Sequence, residues 1–258
     1  MHLSVVGGLD RVRGEVTVPN SKYHAHRALI LASLAPGLSR ICGLSDAGHV
    51  QSTIALLRAL GTRIDVEGDT FLVHGGPYRR GKSRVSVGSS GTTLYFMLGL
   101  ASLADADVTV VGQRYFRRRP VGPLLRSLAD LGVQTSSADG CPPITVTARR
   151  PTGGVTHIAG TLSQWVSGLI LVAPFAARHT TILVDGHLNE RSYVELTVAM
   201  MKQFGLHVTV SDDWSRFDIE PNQTAQPCDL TLPPDIGSAA FGLAVAALHP
   251  ADILLRGL

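Results

Sequence analysis

Leu57-Arg58-Ala59-Leu60-Gly61 closes a helical pattern, and the reading of this stretch decides the fold. It returns as Leu128-Ala129-Asp130-Leu131-Gly132 and again as Met201-Lys202-Gln203-Phe204-Gly205, with the glycines 71 and 73 residues apart. Glycine just past the last helical turn takes the left-handed conformation that stops a helix. A second set, Gly43, Gly112, Gly186 and Gly257, follows strand patterns at spacings of 69, 74 and 71. Two independent markers with one period identify an internal repeat.

Each unit reads strand, helix, strand, helix, strand, strand. In the first, strands are expected at 16–18 and 39–42, helices at 22–34 and 50–60, and a hairpin at 63–67 and 70–74. The second runs 83–87, 92–103, 107–111, 121–131, 133–136 and 144–147; the third runs 155–158, 163–173, 180–184, 193–204, 207–211 and 215–219. Its first helix should stop at or before Pro174, which cannot continue the hydrogen-bond ladder. A fourth unit is expected to open with a strand at 229–232, a helix at 237–248 and a strand at 253–255. The fold class is therefore α/β, built of repeated βαβαββ units, three complete and half of a fourth. Because the pattern breaks off at Gly257-Leu258, the expectation is the front part of a longer protein.

Bulk composition bounds the class. With 258 residues, 45% hydrophobic and 17% charged, the chain can bury a core and is neither disordered nor fibrous. Cys42, Cys141 and Cys228 share no metal-ligand spacing, so no metal site is expected and a reducing compartment is. The longest nearly apolar run, 166–177, is too short to span a bilayer, and no secretory leader pattern opens the chain. A cytoplasmic location without membrane contact is the expectation. Arg114, Arg117, Arg118 and Arg119 cluster in one loop, but aromatic interleaving stops at Tyr115-Phe116, which disfavours nucleic acid as a partner.

Chemistry is expected where each first strand enters its first helix. These junctions read Asn20-Ser21-Lys22, Gly88-Ser89-Ser90-Gly91-Thr92, Gly160-Thr161-Leu162-Ser163-Gln164 and Asp235-Ile236-Gly237-Ser238. Glycine admits a ligand close to the backbone, and hydroxyls with unpaired N–H groups at a helix start donate to anionic oxygens. Capping explains any one junction alone. Recurrence at one topological position, with Lys22, Arg27 and Gln164 added, points to a shared anion site, and arginine forks such as Arg119 suit phosphate and carboxylate.

On these residues the chain resembles the enolpyruvyl transferase family, in particular its branch acting on 3-phosphoshikimate. The resemblance rests on Pro19-x-Ser21-Lys22-x-x-x-x-Arg27-Ala28-Leu29, Gly88-x-x-Gly91-Thr92, Arg119-Pro120-x-Gly122-x-Leu124, Ser163-Gln164 and Gly186-x-x-x-x-x-x-Tyr193. It implies an inside-out α/β barrel architecture, with residues 1–18 and 222–258 in an incomplete first domain and 19–221 in a second. It implies transfer of the carboxyvinyl group of phosphoenolpyruvate to a hydroxyl of 3-phosphoshikimate in chorismate and aromatic amino-acid biosynthesis, without a cofactor, by a monomer. Lys22, Gly91, Arg119 and Gln164 then match phosphoenolpyruvate positions, and Ser21, Arg27, Ser163 and Tyr193 match acceptor positions. The family's catalytic acid and base match no position before Leu258, so the chain alone is expected to be inactive.

Departures fall on the acceptor side. Tyr23, Leu162 and Glu190 stand where the family has serines that hold the acceptor's carboxylate and phosphate, and Ser89 and Tyr95 replace an Asn and an Arg. They make the three positions candidates for altered specificity. Two further readings follow: the same transfer to a different acceptor in specialised metabolism, or a non-catalytic remnant that binds an anion or a partner. The sister transferase acting on a UDP-sugar is disfavoured, because the 114–119 loop lacks its reactive cysteine.

Overall fold

A computed structural model describes residues 11–43, 47–119 and 121–258. Unit one comprises α1 (Lys22–Leu34), β2 (Gly37–Cys42), α2 (Gly48–Ala59), β3 (Arg63–Glu67) and β4 (Thr70–Gly75), after the opening strand β1 (Val12–Thr17). Unit two follows with β5 (Arg84–Ser86), α3 (Gly91–Leu100), β6 (Val108–Val111), α4 (Gly122–Asp130), β7 (Thr135–Ser136) and β8 (Ile144–Val146). Unit three holds β9 (Gly154–Ala159), α5 (Ser163–Val172), β10 (Thr180–Asp185), α6 (Arg191–Gln203), β11 (Thr209–Val210) and β12 (Arg216–Ile219). The last elements are β13 (Leu230–Thr231), α7 (Ile236–Leu248) and β14 (Ala251–Arg256). Pro120, part of the quoted Arg119-Pro120 motif, and residues 1–10 of the 1–18 segment lie outside the described residues.

Three four-stranded sheets share one order, β5-β6-β8-β7, β9-β10-β12-β11 and β13-β2-β4-β3, each with one parallel pair and two antiparallel ones. The third order corrects the sequence reading. The strand expected to open unit one, at 16–18, lies instead in β1, parallel to β14, where Arg256 forks onto the Glu15 carboxylate at 2.6 and 3.0 Å. Unit one takes its parallel strand from β13, the segment expected to open the fourth unit. Alternation marks a strand without naming its neighbour, which is why the pairing was not legible. The two crossing segments meet at Pro19 and Pro233-Pro234, where Ser21 N–H donates to Pro233 O and Asp235 N–H to Pro19 O, each at 2.8 Å. Past residue 222 the chain keeps contact with the earlier units: Gln226 N–H donates to Phe204 O, and Cys228 N–H to Ser39 Oγ.

Repeat and capping chemistry coincide. Gly61, Gly132 and Gly205 all have positive φ, and Thr62, Val133 and Leu206 N–H groups reach back five residues to Leu57, Leu128 and Met201. These are three copies of one Schellman end. At the far end of the first helices, Ala35, Ala104 and Ala176 N–H groups each donate three residues back, to Ala32, Ala101 and Ala173.

Helices α3 and α5 are apolar nearly all round, α1 is nearly so beyond Arg27, and all three are mostly buried, as helices inside a core are. The second helices are amphipathic and cover them. Helix α3 packs against α5 so closely that a Cβ on Gly168 would lie 2.6 Å from the Tyr95 carbonyl oxygen. Gly168→Ala should therefore destabilise the fold by about 1–3 kcal/mol, the usual cost of overpacking. Chemical denaturation measures it; an unchanged midpoint would show that the two helices can separate without loss.

Candidate active site

The first turns of α1, α3 and α5 open on one cavity of about 290 Å³. Ser21 Oγ accepts from His24 N–H at 3.5 Å and Ser90 Oγ from Thr93 N–H at 3.1 Å, so two junctions carry serine caps. Leu162 holds the same position on α5 and makes no side-chain cap. Eight of the eleven residues singled out from sequence line the cavity: Tyr23, Arg27, Arg119, Leu162, Ser163, Gln164, Glu190 and Tyr193. The other three sit just behind. Ser21 is buried as the cap, Lys22 Nζ lies 5.2 Å from the Tyr23 ring centre, and a Cβ on Gly91 would approach Arg119 Nη1 to 3.4 Å.

Arg119 is held by aromatic faces. Its guanidinium lies 5.4 Å from the Tyr95 ring centre and 5.6 Å from that of Phe116, both within cation–π range. Burial pushes the Tyr95 phenol up, against the pull of Arg119. Gln164 Nε2 donates to Thr92 Oγ1 at 2.7 Å, tying the start of α5 to that of α3. Thr92 lines the cavity too; the Gly91-Thr92 pair was its sequence signal.

Arg27 is 2% exposed and works mainly inside the protein. Its Nε donates to Thr197 Oγ1 at 2.7 Å, and its two terminal nitrogens donate to the Tyr23 and Tyr193 carbonyls at 2.9 Å each. Burial lowers it to about 10, leaving it a cation at neutral pH. It therefore locks α1 to α6 at the cavity wall. Tyr23 and Tyr193 rings stack at a tilt with centres 4.7 Å apart. The Tyr23 hydroxyl, then burial, then Glu190 and Asp235 push Tyr193 up to about 12, so it remains a neutral donor. Glu190 has φ +52° and turns its carboxylate onto the buried Ser163, whose Oγ donates to Oε2 at 3.0 Å.

A second, buried polar chain supports these turns. His26 Nδ1 lies 2.8 Å from Thr53 Oγ1, which lies 2.6 Å from Thr93 Oγ1, and Thr93 Oγ1 donates to the Ser90 cap at 2.7 Å. Sequence reading missed His26, Thr53, Thr93 and Thr197, because single polar residues inside apolar helices show no partner until the helices pack. A larger cavity of about 670 Å³ lies at the opposite ends of these helices, between Leu34, Leu103 and Phe175. Its walls are mostly apolar, and its Arg150 is engaged with the Phe175 and Ala176 carbonyls. The smaller cavity, with two guanidinium groups, amide and hydroxyl donors and helix N-termini, has the chemistry of an anion site. Among the described residues, no group of three His, Cys, Asp or Glu could hold a metal ion.

Two predictions follow from this geometry. Burial holds His26 down from 6.5 to about 3, so its folded form excludes a proton that the unfolded chain binds. Its contribution is fully present above 6.5 and is lost as pH falls toward 3, by up to about 1.4 kcal/mol per pH unit. Urea unfolding between these limits should show that slope reduced in His26→Leu; equal slopes would contradict it. Arg27→Ala leaves two carbonyls and Thr197 without their donor and should cost about 3–5 kcal/mol in the same assay. A loss below about 1 kcal/mol would show that the guanidinium is not structural.

Comparisons with known proteins show the family. The sequence profile of EPSP synthase (3-phosphoshikimate 1-carboxyvinyltransferase) matches residues 6–258. The chain is 36% identical to the 3-phosphoshikimate 1-carboxyvinyltransferase of Methanococcoides burtonii over 99% of its length and 61% of the relative's. It is 34% identical to that of Acetivibrio thermocellus, covering 96% and 59%. The solved EPSP synthase of Acinetobacter baumannii superposes with a TM-score of 0.82 at 23% identity, over 96% of this chain and 56% of that one. The chain thus spans about 60% of the length of these curated relatives, and its fold is the inside-out α/β type they share. It belongs to the EPSP synthase (3-phosphoshikimate 1-carboxyvinyltransferase) family.

Proposed function

We propose that this chain serves the transfer of the carboxyvinyl group of phosphoenolpyruvate to a hydroxyl of a shikimate-type acceptor, with release of phosphate. The relatives' names give 3-phosphoshikimate as that acceptor. The carrying observation is the convergence of three repeat junctions, with Arg119, Gln164 and Arg27, on a single cavity. In the reaction C3 of the enol takes a proton while the acceptor oxygen bonds to C2, giving a tetrahedral ketal phosphate. Loss of a proton from C3 then breaks the C2–O bond to phosphate. The positive ends of α3 and α5, with Lys22, Arg119 and Gln164, hold the donor's phosphate and carboxylate and stabilise the charge that develops. Tyr193, kept neutral, and Ser163 face the acceptor.

The two-domain division belongs to the same proposal, with the start of the chain through Val18 and the stretch after Pro234 on one side. So does a cytoplasmic protein acting as a monomer, with phosphoenolpyruvate and a hydroxylated acceptor as its only partners. Calorimetric titration of the 258-residue chain with phosphoenolpyruvate tests the donor site. Arg119→Ala should weaken binding at least about tenfold, equivalent to about 1.4 kcal/mol. Equal affinity in both proteins, or no binding to either, would overturn the reading.

A further inference from the structure

Glu190 is a carboxylate without a cation, set in the wall of a cavity otherwise built for anions. Among the described residues it forms no ion pair. Three arginines around it are engaged with other groups. Arg191, its neighbour in sequence, pairs with Glu195 at 2.7 Å and lies 4.8 Å from the Trp214 ring centre. Arg27 gives its donors to Thr197 and to the Tyr23 and Tyr193 carbonyls. Arg119 sits between Tyr95 and Phe116 at the α3 junction. What Glu190 does hold is one hydroxyl, that of Ser163, on Oε2.

The placement is built rather than incidental. Glu190 adopts a left-handed backbone, which a non-glycine residue takes only when its surroundings enforce it. That conformation ends the loop from Gly186 and directs the side chain back to the start of α5, beside Leu162. The cavity therefore has two unlike halves. Arg119, Gln164 and Thr92 offer donors on one side; Glu190, with its hydroxyl partner Ser163 taken, offers acceptor oxygens on the other. A phosphate monoester at this second side would face the carboxylate with Ser163 already engaged. A neutral hydroxyl would donate to it.

Building on the proposed enolpyruvyl transfer, we infer that Glu190 makes the acceptor half of the cavity select a ligand presenting a free hydroxyl there and reject a phosphate monoester. The acceptor is then a shikimate-type hydroxy acid that has not been phosphorylated at that position, and Glu190 is its specificity-determining residue. Like charges set against each other are a recognised means of excluding a wrong partner.

The test is titration of the 258-residue chain, saturated with phosphoenolpyruvate, with shikimate and separately with shikimate 3-phosphate. Shikimate should bind at least about tenfold more tightly. Glu190→Gln keeps the size of the side chain and removes only the charge, and it should improve shikimate 3-phosphate binding by about tenfold or more while shikimate changes less. Far-UV circular dichroism establishes that the variant retains its helices, and Glu190→Ser, which also restores a donor, should move the ratio the same way. Tighter binding of shikimate 3-phosphate to the unaltered chain, or a ratio unmoved by both substitutions, would overturn the inference while phosphoenolpyruvate binding keeps the donor reading intact. Loss of phosphoenolpyruvate binding as well would overturn both.

Discussion

Three helices buried along most of their length are stable only where other elements cover them, and the architecture answers that constraint. Helices α1, α3 and α5 fill the centre, the amphipathic helices α2, α4 and α6 lie outside them, and the sheets close the remaining faces. The contact that sets the spacing is Gly168 against the Tyr95 carbonyl, which brings α3 and α5 together without an intervening side chain. Helix α7 has the same apolar composition yet remains exposed, with Phe241 80% accessible.

Function grows out of this packing. Burying parallel helices side by side leaves their N-termini at one end, where the first turns carry unpaired N–H groups and a positive partial charge. Buried polar residues hold those turns in place: the His26–Thr53–Thr93–Ser90 chain for α1, α2 and α3, and the Arg27–Thr197–Ser167 contacts for α1, α6 and α5. Each buried donor there has a partner, as a rigid site requires. The residues that line the cavity then sit on a frame whose geometry is fixed by apolar burial.

The repeat made most of the fold legible. Lys22–Leu34 and Arg63–Glu67 have the expected bounds, and α5 stops two residues short of Pro174, because periodicity, C-terminal glycines and proline act locally. Strand partners were not legible, since the pairing of β13 with β2 joins residues nearly two hundred positions apart and depends on a crossing at Pro19 and Pro233-Pro234. At the site, the junction residues Thr92, Leu162, Ser163 and Gln164 line the cavity, while Ser21, Lys22, Gly91 and the fourth junction at 235–238 contribute no lining residue. Their alliances were hidden: Arg27 reads as a ligand-binding cation, yet its partners are a threonine hydroxyl and two protein carbonyls, and Glu190 reads as a specificity candidate whose partner Ser163 shows only in the fold.

The central claim is that repeated helix starts converge on one anion site. An experimental structure of this chain with phosphoenolpyruvate bound tests it most directly. The account predicts the ligand's phosphate and carboxylate within hydrogen-bond reach of Arg119, Gln164 and Lys22, at the N-termini of α3 and α5. A ligand seated instead in the larger cavity beside Leu34, Leu103 and Phe175, or on the exposed face of α7, would contradict it.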